Sequence, residues 1–312
     1  VAPALAPQTS VPLNITLILF SSFRHFRQFP KGYHHAMHPI LFHIFSFPIH
    51  SYGFMLAMSF LIGIWFAAWR AKRAGLDPNT ISDLGFWVIL AAIVGARLYY
   101  VVLHFEEFSG DLTGIFNPFH GGNLGIGGLV MYGGFIGAIV AGVVYFRLKK
   151  EPFLPYADLS CASLGFGIFL TRIGCFLNGC CYGAATSSSC GVAFPANSPA
   201  GAYMHDIHAH ALIPSQLIES GGGLLIAIII LLVGTRKTFV GFRFFLTGIM
   251  YSVLRFGVDF TRFYTTHERL GPLSHNQVIC IAFFILFSGL ILRNFLSKEE
   301  DPAKPAAPHA TA

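Results

Sequence analysis

Seven apolar segments divide this chain, each near the roughly 20 residues that cross a hydrocarbon core. They run approximately 52–69, 84–104, 127–146, 157–178, 214–234, 240–260 and 276–295. In lipid the backbone must satisfy its own hydrogen bonds, so runs of this length read as helices. The expected fold is all-α, a polytopic membrane helix bundle of about seven transmembrane helices. Composition agrees: the chain is 54% hydrophobic and 11% charged, whereas a soluble domain carries about a quarter charged residues. Its net charge of +6 does not point to nucleic acid, because most basic residues flank the apolar runs.

Those flanks set an orientation. Arg70, Lys72 and Arg73 follow the first segment, and Arg147, Lys149 and Lys150 follow the third. Arg236, Lys237 and Arg243 surround the gap before the sixth, and Arg293 with Lys298 closes the seventh. The opposite loops, 105–126 and 179–213, contain no Lys or Arg. By the positive-inside rule the N-terminal flank lies outside and the C-terminus in the cytoplasm. Residues 37–298 are expected to form the seven-helix domain, with 179–213 as a small periplasmic head loop. Residues 1–36 read as an over-extended reading frame or a surface-lying arm, with Met37 the favoured start. Residues 299–312, rich in Pro and Ala, read as a disordered cytoplasmic tail.

Arg97, Arg172 and Arg255 sit inside the apolar segments. A central arginine costs about 2.5–3.5 kcal/mol on insertion scales, so each needs a partner or a task. At ~1.5 Å per residue, all three lie roughly 20 Å or more above the inner edge. Tyr52, Tyr132, Gln216, Glu219, Asn276 and Gln277 fall at similar height, with Asn178 at the rim. Arg255, Asp259 and Arg262 are spaced to share one helix face. Two arginines on one aspartate leave positive charge over for a phosphate. Glu219 reads as a base or an arginine partner, the partner role being favoured. Gly133 and Gly137 read as close helix packing, and Tyr132 as a hydroxyl presented to ligand.

The cysteines beyond Arg172 leave several readings open. Adjacent Cys180 and Cys181 do not fit the usual C-x-x-C zinc spacing. An outward-facing oxidising compartment would permit a disulfide between Cys190 and one of that pair. A nucleophilic cysteine is a further reading, and buried structural thiols are the commoner case. His205, His208 and His210 read as an exposed polar loop. No metal is expected.

Ordered elements across roughly residues 40–296 resemble the prolipoprotein diacylglyceryl transferase family. They are Ser51-Tyr52-Gly53, Gly95-Ala96-Arg97, Tyr132-Gly133-Gly134, Arg172-Ile173-Gly174 through Asn178-Gly179, and Gly183. Pro214-Ser215-Gln216-Leu217, Glu219, Tyr251, Arg255 through Asp259 and Arg262, and Gln277 complete the pattern. The resemblance implies a bacterial inner-membrane enzyme with its site toward the outer leaflet. It would move the diacylglyceryl group of phosphatidylglycerol to the lipobox cysteine of a prolipoprotein signal peptide, releasing glycerol phosphate and using no cofactor. It implies Arg172 and Arg255 as catalytic, and Tyr132, at the position of a frequent family histidine, is the third catalytic candidate. Arg172, Tyr52, Arg97, Gly133, Gly134, Asn178, Gly183, Gln216, Glu219, Tyr251, Asp259, Arg262 and Gln277 would bind substrate. Tyr132, Cys175, Cys180 and Ile213 depart from residues frequent in the family. A tyrosine hydroxyl ordinarily titrates near about 10, so Tyr132 is expected to orient substrate while another group or the arginine field assists thiol deprotonation. The alternatives are a non-catalytic lipid-binding paralogue and an anion or lipid transporter.

Overall fold

The computed structural model describes residues 37–45, 47–108, 131–234, 238–262 and 269–299. The expectations for residues 1–36 and for the tail beyond 299 lie outside them, as does most of loop 105–126. A hairpin of β1 (Ile40–Ile44) and β2 (Phe47–His50) leads into the bundle. The helices that follow are α1 (Ser51–Arg73), α2 (Pro78–Leu103), the short α3 (Phe105–Phe108), α4 (Met131–Lys149) and α5 (Phe153–Asn178). Then come α6 (Pro199–Asp206), α7 (Ser215–Val233) and α8 (Phe242–Asp259). A two-residue ladder of β3 (Arg269–Leu270) and β4 (Leu273–Ser274) precedes α9 (His275–Glu299).

Every one of the seven apolar segments coincides with a helix, and among the described residues five are long and apolar enough to cross a membrane: α1, α2, α5, α7 and α9. The expected start of the third segment, residues 127–130, lies outside the described residues. Helix α8 is shorter and carries Arg243, Arg255 and Asp259 within its 18 residues, which lowers its hydropathy and concentrates charge on the bundle interior.

Local chemistry fixes several helix ends. Asp77 accepts from the Asn79 amide at 2.9 Å before Pro78, capping α2 with a proline suited to the first turn. The last turn of α1 holds Arg70, Lys72 and Arg73, cations that complement the helix dipole. Ser274 and Gln277 form a reciprocal capping box on α9. Gln277 Oε1 accepts from the Ser274 amide at 2.9 Å, and the Gln277 amide donates to Ser274 Oγ at 3.1 Å.

The helices pack as a row, α4 on α2, α2 on α1, α1 on α5, α5 on α7, α7 on α8, and α8 on α9, with α5 also touching α8. Helices α5 and α7 have 39% of their apolar window buried and α9 only 6%. The first two therefore form the interior, and the outer helices turn Leu61, Trp65, Phe86, Val102 and Ile285 outward, as lipid contact requires. Gly133 and Gly137 do serve close packing: a side-chain carbon at either would run into backbone carbonyls of Gly95 or Ala91 on α2. Gly165 and Gly223 play the same part between α5 and α7.

At one end of the bundle, buried Asp158 on α5 accepts from the amides of Gly241 at 2.7 Å and Phe244 at 2.8 Å. It thereby caps α8 from a neighbouring helix, a role not visible in the sequence. At the other end, residues 179–214 fold back on the bundle around their own apolar cluster of Phe194, Ala200, Met204 and Leu212, joined by Met37. The short bridges Ala185–Leu212 and Val192–Leu212 close this head.

Candidate active site

Arg172 lies 14 residues beyond Asp158 on α5, about 21 Å along the axis, and so belongs to the head end of the bundle. Three cations meet one carboxylate here. Glu219, in the second turn of α7, is fully buried. Its Oε1 accepts from Arg172 Nη2 at 2.7 Å, and its Oε2 faces Arg255 Nη1 and Arg262 Nη2, each at 3.5 Å. Arg255 Nη2 also pairs with Asp259 Oδ1 at 3.2 Å, one turn along α8. Asp259 in turn accepts a short hydrogen bond from Ser274 Oγ. Among the described residues, Arg172, Arg255 and Arg262 stand against Glu219 and Asp259, three cations to two carboxylates. The Nε–H of Arg262 is buried without an acceptor among the described residues.

The expected helical face of Arg255, Asp259 and Arg262 is corrected in one respect. Helix α8 ends at Asp259, and Phe260–Arg262 continue as a turn in which the amides of Thr261 and Arg262 donate to Val258 and Asp259. Arg262 reaches Glu219 from that turn. It is held by a strap: the Ala184 amide donates to Thr261 O, the Gly183 amide to Ile213 O, and the Ser215 and Thr261 hydroxyls meet at 2.6 Å. Gly183 sits where a side-chain carbon would strike Ser215, Ile213 and the Thr261 carbonyl. Pro214 stands at the N-cap of α7 rather than inside its first turn.

The remaining expected residues separate into those near this cluster and those elsewhere. Tyr251, half-buried on α8, lies within electrostatic reach of Glu219, Arg172 and Arg255. Tyr52 on α1 is within reach of Arg172, because Gly174 lets α5 close onto Tyr52 and Met55. Gln216 is fully buried; its Nε2 donates to the Cys180 carbonyl at 2.8 Å, and its Oε1 is buried without a donor among the described residues. Gln277 is engaged in the α9 cap described above. Arg97 faces two aromatic rings, 5.2 Å from the centroid of Phe108 on α3 and 5.7 Å from that of Tyr100 on its own helix. Gly133 and Gly134 lie at the α2–α4 contact. Tyr132 begins α4, and its side chain lies outside the described residues.

All six cysteines are free thiols, so no disulfide joins Cys190 to Cys180 or Cys181. Helix α5 closes with Gly179 in the left-handed conformation, and the Cys180 amide returns to the Cys175 carbonyl at 3.0 Å. This cap folds Cys180 and Cys181 back over Cys175, with Asn178 beside Cys180. The neighbouring Cys175 and Cys180 thiols, with help from Arg172 and Arg262, draw the Cys181 thiol below its usual range against the opposing effect of desolvation. Adjacent and C-x-x-C spacings do not register this set, because a helix cap joins residues five and six apart.

Such a site offers buried guanidinium donors to an anion at one end of a membrane bundle. A family model for prolipoprotein diacylglyceryl transferase matches residues 39–293. The chain is 33% identical to phosphatidylglycerol–prolipoprotein diacylglyceryl transferase 2 of Clostridium perfringens, across 83% of this chain and 95% of that one. It is 31% identical to the corresponding enzyme of Clostridioides difficile, across 84% and 97%. The Bacillus cytotoxicus enzyme is 30% identical across 79% and 88%. With the match spanning the bundle and both sides of the arginine cluster, the chain belongs to the prolipoprotein diacylglyceryl transferase family and is a membrane transferase of lipoprotein biosynthesis.

Proposed function

We propose that the chain transfers the diacylglyceryl group of phosphatidylglycerol to the lipobox cysteine thiol of prolipoprotein signal peptides. The thiol loses its proton and its sulfur attacks the glyceryl carbon. A carbon–sulfur bond forms, the carbon–oxygen bond to phosphate breaks, and glycerol phosphate leaves with the electron pair. The observation that carries this reading is the buried Glu219 carboxylate shared by Arg172, Arg255 and Arg262.

Glu219 holds the three guanidiniums at one point, and Asp259 secures Arg255 from the far side. The residual positive charge and the unpaired Arg262 Nε suit a phosphate. Guanidinium groups already fixed in place stabilise charge as it develops on the leaving group, without reorganisation in the transition state. Tyr251 and Tyr52 flank the phosphate, Asn178 and Gln216 hold the rim, and Gly183 keeps the strap close to α7. Tyr132 orients the substrate from the start of α4. Arg97, Gly133 and Gly134 act at the α2–α4 side of the lipid.

In this reading all seven long helices span the inner membrane, with the C-terminus in the cytoplasm and the 179–213 head in the periplasm. The absence of Lys and Arg from that head supports the orientation. The site then lies at the height of the outer-leaflet phosphates. The test uses the purified full chain, phosphatidylglycerol and a peptide with one lipobox cysteine. Mass spectrometry is expected to find thioether-linked diacylglyceryl peptide and glycerol phosphate in equal amounts. Glycerol phosphate without modified peptide, or peptide acylated through a thioester, would overturn it.

A further inference from the structure

Three sulfurs gather at the end of α5, beside the arginine cluster but outside its ion pairs. The Sγ atoms of Cys175, Cys180 and Cys181 all lie within 4.8 Å of one another. Three thiolates around one ion, at metal–sulfur distances of about 2.3 Å, stand roughly 3.8 Å apart. Small side-chain rotations therefore close the set.

The backbone holds it ready. The left-handed Gly179 cap and the Cys180 amide bond to the Cys175 carbonyl fix two members. Buried Gln216 grips the Cys180 carbonyl at 2.8 Å, the kind of outer contact that orients metal ligands. Cys181 adopts φ of 61°, a left-handed conformation that bulky residues rarely enter without compensation. That turn brings its sulfur to the other two. Cys175 is buried, Cys180 half-buried and Cys181 exposed, so the set has an entry path and an open side.

We propose that Cys175, Cys180 and Cys181 form a tris-thiolate site for one thiophilic metal ion of the zinc(II) or copper(I) class. An all-sulfur set selects soft ions over magnesium, calcium or manganese. Binding of a divalent ion exchanges three thiol protons, released to solvent, for three metal–sulfur bonds and leaves a complex of charge −1. Arg172 and Arg262, both within electrostatic reach of Cys181, offset that charge from the same surplus that faces the phosphate, so a bound ion weakens the cluster's hold on an anion. The site does not depend on the transfer reaction proposed above.

Cadmium(II) is the probe, because thiolate-to-cadmium charge transfer gives an ultraviolet band. The full chain in detergent, reduced and free of oxygen, is titrated with cadmium and then with competing zinc. The expected result is one equivalent bound and a sulfur–cadmium band that only a large excess of zinc removes, as the softer ion is favoured by sulfur. Cys175→Ser and, at the exposed position, Cys181→Ala should each weaken binding by more than the about 10–100-fold that loss of an outer-shell partner costs. Cys190→Ser should leave it intact. A band that is absent, or that survives in the folded Cys181→Ala variant, would overturn the proposal. So would alkylation in intact membranes showing two of the three sulfurs already joined as a disulfide.

Discussion

The Arg172 guanidinium donates to Glu219 across 2.7 Å, tying the end of α5 to the second turn of α7. Glu219 is fully buried, and its other oxygen faces Arg255 and Arg262. One carboxylate thus organises cations from two helices and a turn. Removing its charge leaves three guanidiniums facing one another in a low-dielectric interior. Glu219→Gln should destabilise the protein by about 3–5 kcal/mol, the cost of breaking a buried ion pair by deleting one partner. Thermal unfolding in detergent measures this, and an unchanged midpoint would mean the cluster is solvated.

Arg255 bridges Glu219 at 3.5 Å and Asp259 at 3.2 Å through different nitrogens. An ammonium is a single point charge and cannot span both. Arg255→Lys should fold but lose at least about tenfold in transfer, roughly 1.4 kcal/mol of transition-state stabilisation. Full activity in a steady-state assay would show that charge alone suffices there.

Much of this arrangement is legible in the sequence, and its limits have physical causes. The seven helices follow from run length and apolarity, because a lipid-spanning backbone has few options. Glu219 as an arginine partner and Gly133 with Gly137 as packing residues also follow from spacing. Arg262 was expected on the helix because periodicity does not report where α8 unwinds into a turn. The thiol cluster depends on a left-handed cap at Gly179, and Asp158 on a contact with a helix 83 positions away. Ser274 and Gln277, by contrast, carry the S-x-x-Q spacing of a capping box, a signal that could have been read.

That capping box separates two roles for Gln277. Gln277→Ala should cost about 1 kcal/mol of stability and leave the KM for phosphatidylglycerol nearly unchanged. A raised KM with no shift in melting temperature would instead place Gln277 against substrate.

The α2–α4 contact predicts a position-specific effect of one methyl group. Gly133→Ala drives a carbon into the Gly95 carbonyl, whereas Gly142 on the same helix has open space. Gly133→Ala should lose about 1–3 kcal/mol by overpacking, and Gly142→Ala should not. Equal melting temperatures for the two variants would contradict the close approach of α2 and α4.

The most direct measurement follows labelled acyl chains from phosphatidylglycerol to a lipobox peptide, comparing the native chain with Arg172→Ala at matched folded concentration. Thioether-linked label with the native chain and a loss of about 100-fold or more in the variant, approaching 3 kcal/mol, is the predicted result. Equal transfer by both would contradict the assignment of the Glu219-centred arginines to the departing phosphate.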